Sequence, residues 1–264
     1  MGEWIWRIES MKKRAFTLIE LLVVIAVIAV LMGILMPVMR SVREQARQKS
    51  CASQIRQQVL AFTMSANDND GKLPLPRHTG AWLWDLDIQT VNFMLDSGMS
   101  KEMFYCPSNA SMMKGIDHFW TFNCELDRKT QRLTGTSNSF IVSGYCYVLD
   151  DEKGNRTKNV PIRNAENKTG PKRWPRTIYD KHASNTELCV DATLGREDSS
   201  MKYGYNFGDI KGGTWGQIQV TDRSSHLKSD EEPYGGNIGF LGGHVEWRHF
   251  QDMENRYGGP TFWW

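Results

Sequence analysis

The sequence predicts an α+β protein: one long N-terminal helix, membrane-spanning in its first half and amphipathic in its second, with antiparallel β-structure in the globular part. Three observations lead there. From Phe16 to Met36 the chain reads FTLIELLVVIAVIAVLMGILM, 21 residues with Glu20 as the single charge. An amphipathic stretch follows at helical spacing. Near the C-terminus, two alternating apolar runs flank a glycine-rich turn.

Bulk properties set the frame. A chain of 264 residues has room for one good-sized domain, or a smaller one plus an extended helix. Its 23% charged and 40% hydrophobic content excludes disorder of the whole chain. A formal net charge of +2, with no Lys/Arg-rich run beyond the first residues, argues against a nucleic-acid partner. The mean hydropathy of −0.48 averages a polar chain with one very apolar segment. The expected order is a basic leader at 1–15, a transmembrane helix at 16–36, its amphipathic continuation at 37–66 and a globular domain at 67–264.

At about 1.5 Å per residue the apolar run spans roughly 31 Å, the thickness of a bilayer hydrocarbon core. Lys12, Lys13 and Arg14 precede it and favour a cytoplasmic N-terminus. Arg40, Arg43, Arg47 and Lys49 on the far side blunt that rule. A secretory signal peptide would have a shorter apolar core and a small-x-small cleavage site, whereas Leu35-Met36-Pro37-Val38-Met39-Arg40 follows here. A plain signal anchor fits the length but leaves Glu20 unexplained, because a carboxylate within an apolar span costs on the order of a few kcal/mol.

The stretch from Lys12 to Ile25, KKRAFTLIELLVVI, resembles the class III leader of type IV prepilins and type II secretion pseudopilins. The resemblance implies cleavage by a prepilin peptidase between Ala15 and Phe16, and N-methylation of Phe16. It makes Glu20 the fifth residue of the mature chain, where that family carries its glutamate, and places Pro37 where many pilins carry a helix-kinking proline. It implies an α+β pilin-like fold, in which the outer half of the long N-terminal helix packs on an antiparallel β-sheet, and as partners the peptidase, other pilin or pseudopilin subunits and the bacterial inner membrane. Within a filament, Glu20 would neutralise the Phe16 amine of a neighbouring subunit, replacing two costly buried charges by one ion pair. Two features depart from the family. Ala15 stands where Gly is commonest, and MGEWIWRIES precedes Met11, the expected start if the leader opens MKKR.

Beyond the membrane segment, Ala52, Ile55, Val59, Phe62 and Ala66 recur at helical spacing, with Arg43, Arg47, Arg56 and Gln57 largely off that face. Pro37 kinks the helix or loosens a turn. The helix is expected to stop at Asn67-Asp68-Asn69-Asp70-Gly71, before Pro74 and Pro76. That acidic run is not read as a calcium loop, because Arg77 stands where an EF-hand places its glutamate.

In the globular part, Ala81–Ser97 reads as a short surface helix, and Phe140–Leu149 and Thr186–Leu194 as strands. Asp150–Trp174 reads as a long polar loop, and Lys202–Gly216 shows no clear period. Ile238 and Phe240, then Val245 and Trp247, alternate about Leu241-Gly242-Gly243 and predict a β-hairpin. With His226 upstream, the hairpin resembles the C-terminal box of large pilin-like proteins, in which a histidine precedes a strand ending Asp-Gly-His-Val. The matching positions are His226, Gly242, Gly243 and His244, with Gly242 in place of the aspartate and a longer spacing. Phe104–Ser108 (FYCPS) and the Asn67–Pro74 stretch resemble that group too.

Five cysteines (Cys51, Cys106, Cys124, Cys146 and Cys189) show neither a CxxC pair nor zinc-site spacing. Four lie in the globular part and allow three full connectivities, free buried thiols being the other reading. His226, His244, His249, Asp191 and Glu246 fit no catalytic motif, and His244 with Glu246 reads as a solvated strand face. No enzyme, cofactor or metal is therefore expected. Ten tryptophans, Trp263 and Trp264 at the end of the sequence among them, read mainly as core, with an interface anchor or carbohydrate platform as alternatives. The expected function is a structural subunit of a pilus-like or pseudopilus filament. A membrane-anchored binding protein that uses the leader only for export is the alternative.

Overall fold

The computed structural model describes residues 17–75, 83–136, 138–149, 174–179, 183–215, 218–257 and 261–264. Ala15, Phe16 and the rest of the leader lie outside them, as do Ala81, Trp82 and the expected polar loop up to Arg173. The chain divides into two compact units, Met1–Arg43 and Glu44–Trp264, and a single helix, α1 (Leu18–Asn67), contributes to both.

In the first unit, α1 is apolar on every side. Its large side chains from Leu18 to Val42 are exposed, none of its most apolar window is buried, and it is long and apolar enough to cross a membrane. Helical assignment runs unbroken through position 37.

In the second unit the same helix becomes one-sided. Cys51, Ile55, Val59, Phe62 and Ala66 are buried, joined by Gln58 and Ala61. The stripe therefore opens on Cys51, one residue before the expected Ala52, which is only half-buried. The helix ends where its turn chemistry places it. Asp70 takes a left-handed φ of 51° and the Gly71 amide donates to the Ala66 carbonyl at 2.7 Å, a Schellman closure.

The face of α1 packs on a four-stranded antiparallel sheet, ordered Val245–His249, Gly235–Phe240, Glu187–Val190, Cys146–Tyr147. The register aligns Tyr147, Cys189 and Gly239, and beside them Cys146, Val190 and Ile238. Successive residues of a strand point to opposite faces. Tyr147 and Cys189 join the core with Ile55, Val59 and Phe62. Cys146, Val190, Ile238 and Phe240 join a second cluster with Leu194 and Trp264. Both faces are thus covered, and all six residues of Gly235–Phe240 are buried. Gly239 is the contact point: a Cβ there would sit 2.5 Å from Ile55 Cγ2 and 2.9 Å from Val59 Cγ2.

Polar pegs fix the helix to the sheet. Tyr147 donates to Gln58 Oε1 and Tyr145 to Gln54 Oε1, each at 2.7 Å, while Gln58 Nε2 reaches the Met103 carbonyl at 2.9 Å. A second four-stranded sheet, ordered Asn255–Tyr257, Thr261–Trp263, Thr193–Glu197, Tyr205–Asn206, completes the larger assembly of strands. Trp264 is fully buried and donates to Glu187 Oε2 at 2.8 Å, and Arg248 donates to Glu187 Oε1 at 2.9 Å. The terminal tryptophans are core, and neither is an exposed platform.

Three expected elements are redrawn. Thr186–Leu194 is two strands, Glu187–Val190 and the start of Thr193–Glu197, which enter different sheets on either side of Asp191-Ala192. Phe140–Leu149 is also two, Phe140–Val142 and Cys146–Tyr147, parted at Ser143, whose hydroxyl donates to the Phe104 carbonyl at 2.9 Å. Leu86 belongs to a short strand, Asp85–Asp87, and helix α2 (Ile88–Asp96) starts only after Asp87 caps the Gln89 amide at 2.8 Å. The stretch without a clear period contributes the Ile210–Trp215 strand of a hairpin with Ile218–Asp222.

Candidate functional site

Two places combine charge with a setting that makes charge expensive. The first is the start of α1. Thr17 is its N-cap and Glu20 its third residue. The Glu20 amide donates to Thr17 Oγ1 at 3.2 Å, and the Thr17 amide and hydroxyl donate to Glu20 Oε2 at 2.8 and 2.9 Å. This is a reciprocal capping box, and it sets a negative charge at the positive end of the helix dipole. Within a single chain, Glu20 already satisfies two donors at the helix start. The T-x-x-E spacing was present in the sequence, and that reading assigned Glu20 only a role between subunits.

The second place lies inside the domain, and sequence spacing did not reveal it. Cys51, Cys106, Asp191 and His226 come from four separate segments, and one side-chain donor atom from each lies within 4.8 Å of all the others. All four are buried, at 0%, 0%, 2% and 0% exposure. Cys51 Sγ donates to Asp191 Oδ2 at 3.1 Å. His226 Nε2 lies 3.0 Å from the same oxygen and 3.4 Å from Cys106 Sγ. The other imidazole nitrogen, Nδ1, meets Glu44 Oε1 at 2.5 Å.

Each member is positioned by the local fold. Cys51 stands seven residues after Glu44, two turns along the same helix face. Cys106 lies in the FYCPS turn, whose Ser108 hydroxyl donates to both Glu44 carboxylate oxygens at 2.9 Å and accepts from the His226 amide at 3.2 Å. Asp191 occupies the break between the two strands, its amide donating to Asn237, whose side chain donates to the Gln48 carbonyl of α1 at 3.0 Å. His226 sits on a pinned loop. Ser224 bridges the Leu194 amide and carbonyl, Asn109 holds the Arg223 carbonyl at 2.8 Å, and Trp247 packs edge-on against the imidazole at 5.2 Å. His226 takes a left-handed φ of 51°, which a non-glycine residue holds only when its surroundings enforce it.

The electrostatics are strongly coupled. Burial alone would lower the His226 pKa, but Cys106, Asp191 and Glu44 beside it push it up to about 12. Burial likewise opposes ionisation of Cys106, yet hydrogen bonding to Cys51 and the adjacent imidazole bring its thiol below the ordinary range. Cys51 is held well above it by burial, Cys106 and Asp191. Cys106 and His226 lie side by side at 0% exposure among the described residues. The cluster has the donors to bind a cation or to staple the segments by hydrogen bonds.

The other residues singled out in the sequence lie apart from this cluster. Gly242, Gly243 and His244 form the turn between Gly235–Phe240 and Val245–His249. Gly243 takes φ +91°, the Phe240 amide donates to the His244 carbonyl at 3.0 Å, and the His244 ring stacks on Phe240 at 4.4 Å. His244 lies 3.5 Å from the exposed Glu246, and His249 accepts from the Trp247 indole at 3.4 Å. Of the five groups considered for catalysis, only Asp191 and His226 are brought together by this cluster. No disulfide joins any of the five cysteines among the described residues.

Residues 10–36 match the family model described as the prokaryotic N-terminal methylation motif. No curated protein and no solved structure matches the chain. The match covers the basic leader and apolar run alone, and it supports reading this N-terminus as that of a type IV pilin- or pseudopilin-type precursor.

Proposed function

We propose that the chain is a structural subunit of a pilus-like or pseudopilus filament. It is processed between Ala15 and Phe16, N-methylated at Phe16 and assembled from the bacterial inner membrane with its domain on the outer side. The observation that carries this reading is the methylation motif over residues 10–36, with Glu20 at the start of a helix whose apolar surface stands exposed among the described residues. Such a surface needs lipid or neighbouring subunits to cover it. The domain acts in this reading as scaffold and contact surface, not as an enzyme.

Intact and N-terminal mass spectrometry on chain from cells carrying a prepilin peptidase tests the processing step. A mature species beginning at N-methylated Phe16 is expected. An uncut chain, or one cut after Met36, would sink the reading.

The capping box favours a second reading, a membrane-anchored domain that uses the leader only for export, because Glu20 has partners without a neighbouring subunit. Glu20→Ala separates the two. A filament subunit loses assembly while still inserting and being cut, whereas a lone anchor loses only the cap, worth about 1 kcal/mol of helix stability.

A further inference from the structure

We propose that Cys51, Cys106, Asp191 and His226 are the four donors of a closed structural site for one zinc-class divalent cation, with Glu44 as the carboxylate that orients the imidazole. Two sulfurs, one imidazole nitrogen and one carboxylate oxygen suit a tetrahedral, sulfur-tolerant ion, and not an oxygen-seeking one such as calcium or magnesium. With metal–sulfur bonds near 2.3 Å and metal–nitrogen or –oxygen bonds near 2.0–2.1 Å, the edges of the donor tetrahedron are about 3.3–3.8 Å. Three of the six donor separations, 3.1, 3.4 and 3.0 Å, reach those values by sub-ångström movements, and the other three are no longer than 4.8 Å.

The outer contacts fit as well. A histidine that binds through one nitrogen typically gives its other N–H to a carboxylate, which fixes the tautomer. Here Nε2 faces Cys106 and Asp191 while Nδ1 faces Glu44, and Glu44 is itself held by the Ser108 hydroxyl. Four protein donors with no exposed surface leave no open position, which marks a structural and not a catalytic site. On binding, Cys51, Cys106 and the Nε2 of His226 release to solvent the protons they hold, leaving two thiolates and a neutral imidazole to bond the ion. The ion would tie α1, the FYCPS turn, the Asp191 strand break and the His226 loop to a single point.

The test uses the full-length chain purified in detergent without chelator. About one zinc per chain by elemental mass spectrometry is expected. Replacement by Co2+ should give a thiolate-to-cobalt charge-transfer band together with tetrahedral visible bands. Chelation should lower the melting temperature, and Zn2+ alone should restore it. Cys51→Ser and Cys106→Ser should each drop zinc below about a tenth per chain, while Cys124→Ser retains it. Glu44→Gln should weaken zinc binding about 10–100-fold without abolishing it.

A chain that carries no zinc and takes up neither Zn2+ nor Co2+ after reduction overturns the proposal. So does a Cys51–Cys106 disulfide in non-reducing peptide maps, or zinc retained equally in both serine variants. Zinc content, cobalt spectrum and disulfide map of the unaltered chain decide the matter even where a variant fails to fold. None of these readouts depends on leader cleavage or filament formation.

Discussion

Helix α1 passes through two units of this molecule and obeys a different rule in each. Up to Val42 its aliphatic side chains stand exposed on all sides and no hydrogen bond ties them to a partner element. From Glu44 to Ala66 one face is buried, and it carries Gln54, Gln58 and Cys51 among its apolar residues, each with a polar partner. The contrast teaches what each half is built to meet: the first half offers only apolar surface, while the second is held by its own sheet. Uniform aliphatic composition suffices where the neighbour is lipid or another apolar helix. Where the neighbour is a specific sheet, polar pegs and a glycine notch select one docking.

Substitutions that act on one half alone sharpen the contrast. The largest effect is expected from Phe62→Ala. Phe62 is fully buried with its ring 5.7 Å from Tyr147, so truncation should cost about 3–5 kcal/mol in chemical unfolding of the domain. Membrane partitioning should be untouched. Ile28→Lys should do the reverse: about 2.5–3.5 kcal/mol against insertion, read by carbonate extraction, with the melting curve of the domain unchanged. A loss of domain stability in Ile28→Lys would break the distinction between the halves.

Gly239→Ala comes next. Its Cβ would press on Ile55 and Val59, and about 1–3 kcal/mol of overpacking is expected from denaturant titration. The smallest effect is tied to pH. Burial raises the carboxyl of Asp222 to about 6, although Asn109 and the Arg223 amide donate to it. Because the folded state favours the protonated acid, this contribution is present below about pH 4 and is lost as pH rises through 6. Asp222→Asn accepts both hydrogen bonds without ionising. Its melting temperature should match the parent at pH 4 and exceed it at pH 7.5.

Much of the α+β outline was legible in the sequence. Apolar runs at period 3.6 and period 2, stop signals such as Asp70-Gly71 and the turn at Gly243 are local, and they mark α1 and the terminal hairpin. The breaks at Ser143-Gly144 and Asp191 carried weak local signals, poor strand residues in both cases, which the apolar alternation resuming beyond them outweighed. What stops them is a hydroxyl reaching Phe104 in one case and an exchange of sheets in the other. Nothing in the sequence marked Gly239 as more than a position within the strand, and only the packed helix shows that it makes room for Ile55 and Val59.

The buried cluster was harder still. Cys51 and Asp191 are 140 residues apart, Cys106 and His226 120, and no spacing rule spans such distances. Partial signals existed. Cys51 lies on the extrapolated apolar stripe of α1, and FYCPS and His226 had each been singled out. Nothing in the sequence said that the three would meet.

One consequence of the helix–sheet contact concerns time. The Gln48 carbonyl waits for Asn237, 189 residues later, and the Ile55–Val59 face waits for Gly239. At ordinary translation speeds of about 5–20 residues per second, the helix waits for roughly ten to forty seconds before its central strand has been made. Throughout that interval a finished amphipathic helix has no sheet to lie on. Maturation of the domain is therefore a closing event, triggered by the arrival of the hairpin that carries Asn237 and Gly239.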